Sequence, residues 1–202
     1  MTSIQLRPDE RLPVASDARS NVAWWGMWLF ILNEATLFAA LLASYFFLAV
    51  SAPAWPPAGV ERPTLTLPIL MTFALLSSSA VLIRADRALA RGDRRAYRLG
   101  VGTTMVLGLI FLSLQAKEYV DKLQHLRPSQ NSYGSAFYTI TGLHGSHVAF
   151  GVLFLGWALT REVSGTARPK SMGLKNASLY WHFVDAVWLA ILTSLYLSPH
   201  WT

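Results

Sequence analysis

WWGMWLFILNEATLFAALLASYFFLAV, residues 24–50, decides the medium in which this chain folds. Among aspartate, glutamate, lysine, arginine and histidine, only Glu34 occurs in it. At about 1.5 Å per residue the run reaches across a hydrocarbon layer about 30 Å thick. Inside such a layer no water satisfies the backbone, so each segment must hydrogen-bond to itself, and the run reads as a transmembrane helix. Four more runs follow the same logic, at 65–83, 99–116, 135–159 and 177–197. The expected fold is an all-α integral membrane bundle of five transmembrane helices, with residues 24–202 forming the transmembrane domain. Residues 1–23 mix both signs of charge with two prolines and lack the pattern of a signal peptide, so they read as a polar N-terminal tail.

Composition agrees. The 202 residues are 53% hydrophobic and 14% charged, against about 25% charged in a soluble domain. There is no cysteine, which excludes disulfides, cysteine-ligated zinc, iron–sulfur clusters and thiol nucleophiles. The net charge of +6 does not indicate nucleic acid, because the basic residues sit in short segments between apolar runs. Prolines punctuate those segments: Pro53, Pro56 and Pro57 end the first helix, and Pro63 and Pro68 bracket the start of the second.

Lysine and arginine set the expected orientation. With the N-terminus cytoplasmic, thirteen fall on the inner side, six of them between Arg84 and Arg98, and four on the outer side. The expectation is N-terminus in, C-terminus out. Trp24, Trp25, Trp55, Tyr119, Tyr133 and Trp201 lie near the run edges, where aromatic side chains favour the headgroup level.

Ionisable residues within the runs are costly there, about 2.5–3.5 kcal/mol each for a central charge on insertion scales, so each needs a partner or a protein-facing position. Helical rise places Glu34, His144, His147 and Asp185 at similar mid-membrane depths, with His182 nearer one edge. His144 and His147 share a helix face, as do His182 and Asp185. The expectation is one polar cluster joining the first, fourth and fifth helices, in which imidazoles donate to carboxylates. Gly142, Gly145, Gly151 and Gly156, with Ser77, Ser78 and Ser79, read as close-packing residues.

The residues alone leave several roles open: hydrogen-bond glue that fixes helix register, a proton or lipid role, and a metal or haem site. A paired-metal site in a bundle wants repeated Glu-x-x-His motifs, which this chain lacks, and His144 and His147 are too close in sequence to ligate a haem from opposite sides. A stand-alone membrane metal or haem protein and a transporter are the rival classes. Against the transporter, no repeat-related pair of broken helices is visible.

Six motifs then occur in order: WLFILNEATLF at 28–38, WPPAG at 55–59, GDR at 92–94, LQAKEY at 114–119, YGSAFY with TGLHGSHV between 133 and 148, and YWHFVDAVW at 180–188. They resemble subunit III of the haem–copper cytochrome c oxidases, over nearly the whole chain from Trp24 onward. The resemblance implies an accessory, non-catalytic subunit of a proton-pumping terminal oxidase of aerobic respiration, passing electrons from cytochrome c to dioxygen. It implies no catalytic, cofactor or metal residues in this chain, with haem and copper held by partner subunits. It also implies packing against the catalytic subunit I, with subunit II in the same complex, together with contact to membrane lipids, bound phospholipid and support of proton uptake. Under it, Glu34 and Asp185 match the family's buried acids, with His144, His147 and His182 around them, and Glu118 belongs to a secondary motif. A multi-pass location in a bacterial-type inner membrane follows. Many members have two further helices before the glutamate-bearing one, so this reads as the short, five-helix form, and Asn33 stands where serine is common. Equivalent subunits of quinol oxidases, or of nitric oxide reductase-associated homologues, are the near alternatives, since the electron-donor site lies on other chains.

Overall fold

The structure is a computed structural model that describes residues 13–57, 59–60, 63–165 and 172–200. Five helices account for most of them: α1 (Pro13–Ser51), α2 (Thr66–Ala90), α3 (Arg94–Lys122), α4 (Ser132–Val163) and α5 (Met172–Ile191). All five carry stretches long and apolar enough to cross a membrane. After α5 the chain widens into a π-helical stretch, Leu192–Leu197, and closes with a 3-10 turn, Ser198–His200. Among the described residues there is no strand.

α1, α3 and α4 outrun their apolar segments at both ends, and α2 and α5 at one, because backbone hydrogen bonding does not stop where lipid does. α1 begins at Pro13, although its membrane-length part starts at Val22. The first twelve residues of the expected tail, and the expected loop positions Arg62, Arg168 and Lys170, lie outside the described residues. The arginine-rich segment, read from sequence as a connection, is largely helix. α2 runs to Ala90, Gly92 turns the chain with a φ of +87°, and the Asp93 side chain caps α3 by accepting from the Ala96 amide at 2.9 Å. At the start of α4, Asn131 does the same for Gly134 at 2.7 Å.

In cross-section the helices form a ring in the order α1, α4, α3, α2, α5, with α5 closing onto α1 and also packing across the ring against α4. Neighbours in sequence are antiparallel, so Ala23, Asp86, Arg98, Glu162 and Asn176 collect at one end, the arginine end. Tyr45, Trp55, Tyr133 and Tyr196 collect towards the other. α1 is peripheral, with Trp25, Leu29, Leu32 and Phe47 exposed, whereas Trp181 and Trp188 of α5 are buried.

Trp181 is the centre of the packing. Its indole N–H donates to Ser78 Oγ at 2.9 Å, and its ring lies over Gly108 of α3 and Gly151 of α4. A Cβ at position 108 would come within 2.5 Å of the Trp181 ring and 3.0 Å of Val152. Gly108→Ala is therefore expected to overpack a site walled on two sides, at about 1–3 kcal/mol, seen as a lower thermal midpoint.

Candidate functional site

Two polar pairings, rather than one cluster, hold the ionisable residues of the spans. In the first, His147 Nε2 of α4 lies 2.9 Å from Glu34 Oε2 of α1, with side-chain exposures of 13% and 15%. The other ring nitrogen, Nδ1, sits 2.8 Å from the carbonyl oxygen of Leu143, one turn back on α4. A carbonyl only accepts, so Nδ1 carries a hydrogen. The bond to Glu34 therefore holds one proton, riding either on Nε2 as an imidazolium–carboxylate pair or on the glutamic acid facing a neutral imidazole. Phe38, one turn along α1 from Glu34, covers His147 edge-on at 5.1 Å between ring centroids.

The second pairing joins α5 to α2. Residues 178, 182 and 185 share one face of α5, and that face meets α2. Ser79 Oγ donates to Asp185 Oδ2 and lies 2.7 Å from His182 Nδ1. Two turns nearer the arginine end, Ser178 Oγ donates to Asp86 Oδ2 at 2.5 Å. Towards the opposite end, Trp188 Nε1 donates to Thr72 Oγ1 at 2.9 Å. Three rungs thus tie α2 to α5.

His144 joins neither pairing. It is fully buried, and neither ring nitrogen has a hydrogen-bond partner. Aromatic rings surround it instead. Trp188 stacks at 5.3 Å between centroids, and Phe111 and Phe38 stand edge-on at 5.6 and 6.3 Å. The expected single cluster on the first, fourth and fifth helices is corrected accordingly. Glu34 and His147 meet, His144 is boxed by rings, and His182 and Asp185 turn to the second helix. Equal depth does not confer equal facing, because rotation about each helix axis decides which neighbour a side chain meets.

Glu118 is buried near the other end. Its Oε2 accepts from Tyr196 Oη at 2.9 Å, and its Oε1 lies 3.4 Å from Lys122 Nζ. That ammonium also sits 4.5 Å from the Phe137 ring centroid, a half-buried cation against a π face.

Several contributors escaped the sequence reading. Ser79, taken as a packing residue, is the hydrogen-bonding hub of the α2–α5 contact. Glu162, beyond the expected end of the fourth helix, is buried and receives Arg98 Nε at 2.5 Å and Arg94 at 3.6 Å, fastening the start of α3 to the end of α4. Gln115 donates to the Thr141 carbonyl at 2.6 Å, and Gly145 stands where any Cβ would strike that amide. The available signal was a helical phase: 79 and 86 on α2 are two turns apart, as are 178 and 185 on α5.

This geometry suits cross-linking of helices and proton holding. Among the described residues no group of three or more histidines, cysteines and acids is arranged to hold a metal ion. Replacing Asp185 by leucine strips Ser79 of its acceptor. The hydroxyl retains His182 as a partner, so Asp185→Leu is expected to cost about 1–3 kcal/mol, at the low end of that range, read as a lower thermal midpoint.

A family model described as cytochrome c oxidase subunit III matches residues 17–201. The chain is 35% identical to a cytochrome c oxidase subunit 3 of Synechocystis over 88% of its own length and 76% of that protein's. It is 37% identical to the Thermostichus vulcanus protein of the same name, over 85% of each. With the Schizophyllum commune protein of that name it shares 37% identity, over 85% of this chain and 66% of the relative.

Proposed function

This chain belongs to the cytochrome c oxidase subunit III family, and we propose from that membership that it is a non-catalytic subunit which steadies the catalytic subunit I of a haem–copper terminal oxidase. The observation that carries the reading is the extent of the match, which runs through all five helices from residue 17 to residue 201. In this role the haem and copper belong to partner chains, cytochrome c donates the electrons, and dioxygen is reduced elsewhere in the complex. The half-buried pairings of Glu34 with His147, and of Ser79 and His182 with the buried Asp185, serve to fix helix register. They present a preformed face to subunit I, with phospholipid filling the remaining contacts.

The charge pattern supports an orientation with the arginine end on the cytoplasmic side and the C-terminus outside, in a bacterial-type plasma membrane. Thirteen of the lysines and arginines then lie on the inner side and four on the outer. In that placement the arginine end lies on the side from which the complex draws protons, and supports their uptake.

The test is purification of the tagged chain from its native membrane in mild detergent. Expected are co-purifying subunits I and II, a haem spectrum that follows subunit I, and oxidation of reduced cytochrome c by the preparation. Recovery of this chain alone with stoichiometric haem or metal would replace the accessory reading by a self-contained redox protein.

A further inference from the structure

The α2–α5 pairing has a direction. With Asp185 ionised, Ser79 Oγ donates its hydrogen to Asp185 Oδ2, so towards His182 it accepts, and His182 Nδ1 carries a hydrogen. With Nδ1 engaged, Nε2 is the ring nitrogen left for the cavity that His182 lines. That cavity, about 640 Å³, lies between the end of α2 and the start of α5 at the arginine end, and Asp86, Leu89, Lys175 and Ser178 also border it. At its mouth the Asp86 carboxylate is held by Ser178. Beyond the cavity, past His182 and Ser79, Asp185 is buried, and its second oxygen, Oδ1, has no partner.

We propose that His182, Ser79 and Asp185 form a proton relay leading from the cavity at the arginine end to a buried, reversibly protonated carboxylate. The step balances in protons. Nε2 of His182 takes a proton from the cavity, forming an N–H bond, while the Nδ1–H bond breaks and its proton passes to Ser79 Oγ. Ser79 releases its original proton to Asp185, where a new O–H bond forms, and the imidazole is neutral again with its hydrogen on Nε2. A ring with a donor on one side and an acceptor on the other suits this exchange, and a hydroxyl that accepts and donates at once is the simplest link between imidazole and carboxylate.

Other titrating groups stand around the relay, among them Tyr97 of α3, which is buried near Asp86. Asp86 on α2 and Lys175 on α5 stand at the mouth. On α4, His144 is enclosed by rings, and Glu34 of α1 is engaged by His147. The relay needs only residues of this chain. A failed relay leaves the accessory role standing, and if no partner chains co-purify the same measurement is made on this chain purified alone.

The experiment is infrared difference spectroscopy of the intact purified complex, with the Asp185 carboxylic C=O band assigned by its loss in Asp185→Asn. On transfer to heavy water the band is expected to shift within seconds in the wild-type complex. In Ser79→Ala the shift should slow at least about tenfold, as when one hydrogen-bonded step is lost and the barrier rises by about 1.4 kcal/mol. His182→Phe should slow it similarly, and Ser79→Thr, which keeps the hydroxyl, should restore it. An unchanged rate in Ser79→Ala overturns the proposal. So does the absence of an Asp185 carboxylic band at every pH at which the complex stays intact. Should Ser79→Ala not accumulate, the wild-type complex decides alone: an Asp185 proton exchanging as slowly as the buried backbone amides of α5 overturns the relay.

Discussion

Trp181→Ala is expected to destabilise the bundle by about 3–5 kcal/mol, the usual cost of truncating a buried aromatic residue. For a chain of this size that corresponds to a fall of about 6–20 °C in thermal midpoint. The indole is fully buried and touches three neighbouring helices, through Ser78 on α2, Gly108 on α3 and Gly151 on α4. Two glycines cannot grow to fill the space, so the cavity remains open and the lost contacts are not regained. Trp181→Phe separates the contributions. It keeps most of the ring volume and removes the bond to Ser78, so the loss should fall to about 1–2 kcal/mol. Loss of this chain from the purified complex on heating, followed by size-exclusion chromatography, reads both variants. Equal stability of Trp181→Ala and wild type would mean that the three-helix junction contributes little.

His147→Leu is expected to cost about 1.5–3 kcal/mol, because the Glu34 carboxyl then lies within a membrane-length helix without its partner. The double variant Glu34→Leu/His147→Leu should recover much of that loss, since both polar groups leave together. A thermodynamic cycle over wild type, the two single variants and the double variant isolates the coupling, expected at about 1.5 kcal/mol or more, within the range for residues in direct contact. Additive single effects would show that the bond seen between α1 and α4 carries no net energy. Glu34→Gln is the informative companion. Nδ1–H of His147 is committed to the Leu143 carbonyl, so a glutamine amide can still donate to a neutral Nε2, and this variant should lose least.

The sequence disclosed the parts of this fold that depend on length and apolarity. Five runs long enough for a membrane became five helices, and the mid-helix position of Glu34 pointed to a histidine partner at matching depth. Depth is a one-dimensional property and reads directly from residue counts. Facing is not. Nothing in a single chain of letters says that the 178, 182 and 185 face of α5 meets α2 rather than α4, or that His144 sits among rings while His147, three residues on, meets a carboxylate. Ser79 was hidden for another reason. A small hydroxyl residue in a membrane helix serves both packing and hydrogen bonding, and only its neighbours separate the two. Glu162 was hidden by position, since beside Arg161 at the end of an apolar run it looks like an ordinary solvated residue. The arginines that bury it come from the segment whose charges also mark the topology.

The wide stretch at Leu192–Leu197 bears on how this chain is compared with its relatives. Winding that is looser than an α-helix holds an additional residue in the same length, so Tyr196 is displaced from the phase set by Trp181 and Trp188, and that displaced position carries its hydroxyl to Glu118. A relative whose last helix winds regularly would need a one-residue gap here to superpose. If the gap were set elsewhere, the tyrosine that meets the acid would be paired with its neighbour, and a shared contact would pass for a substitution.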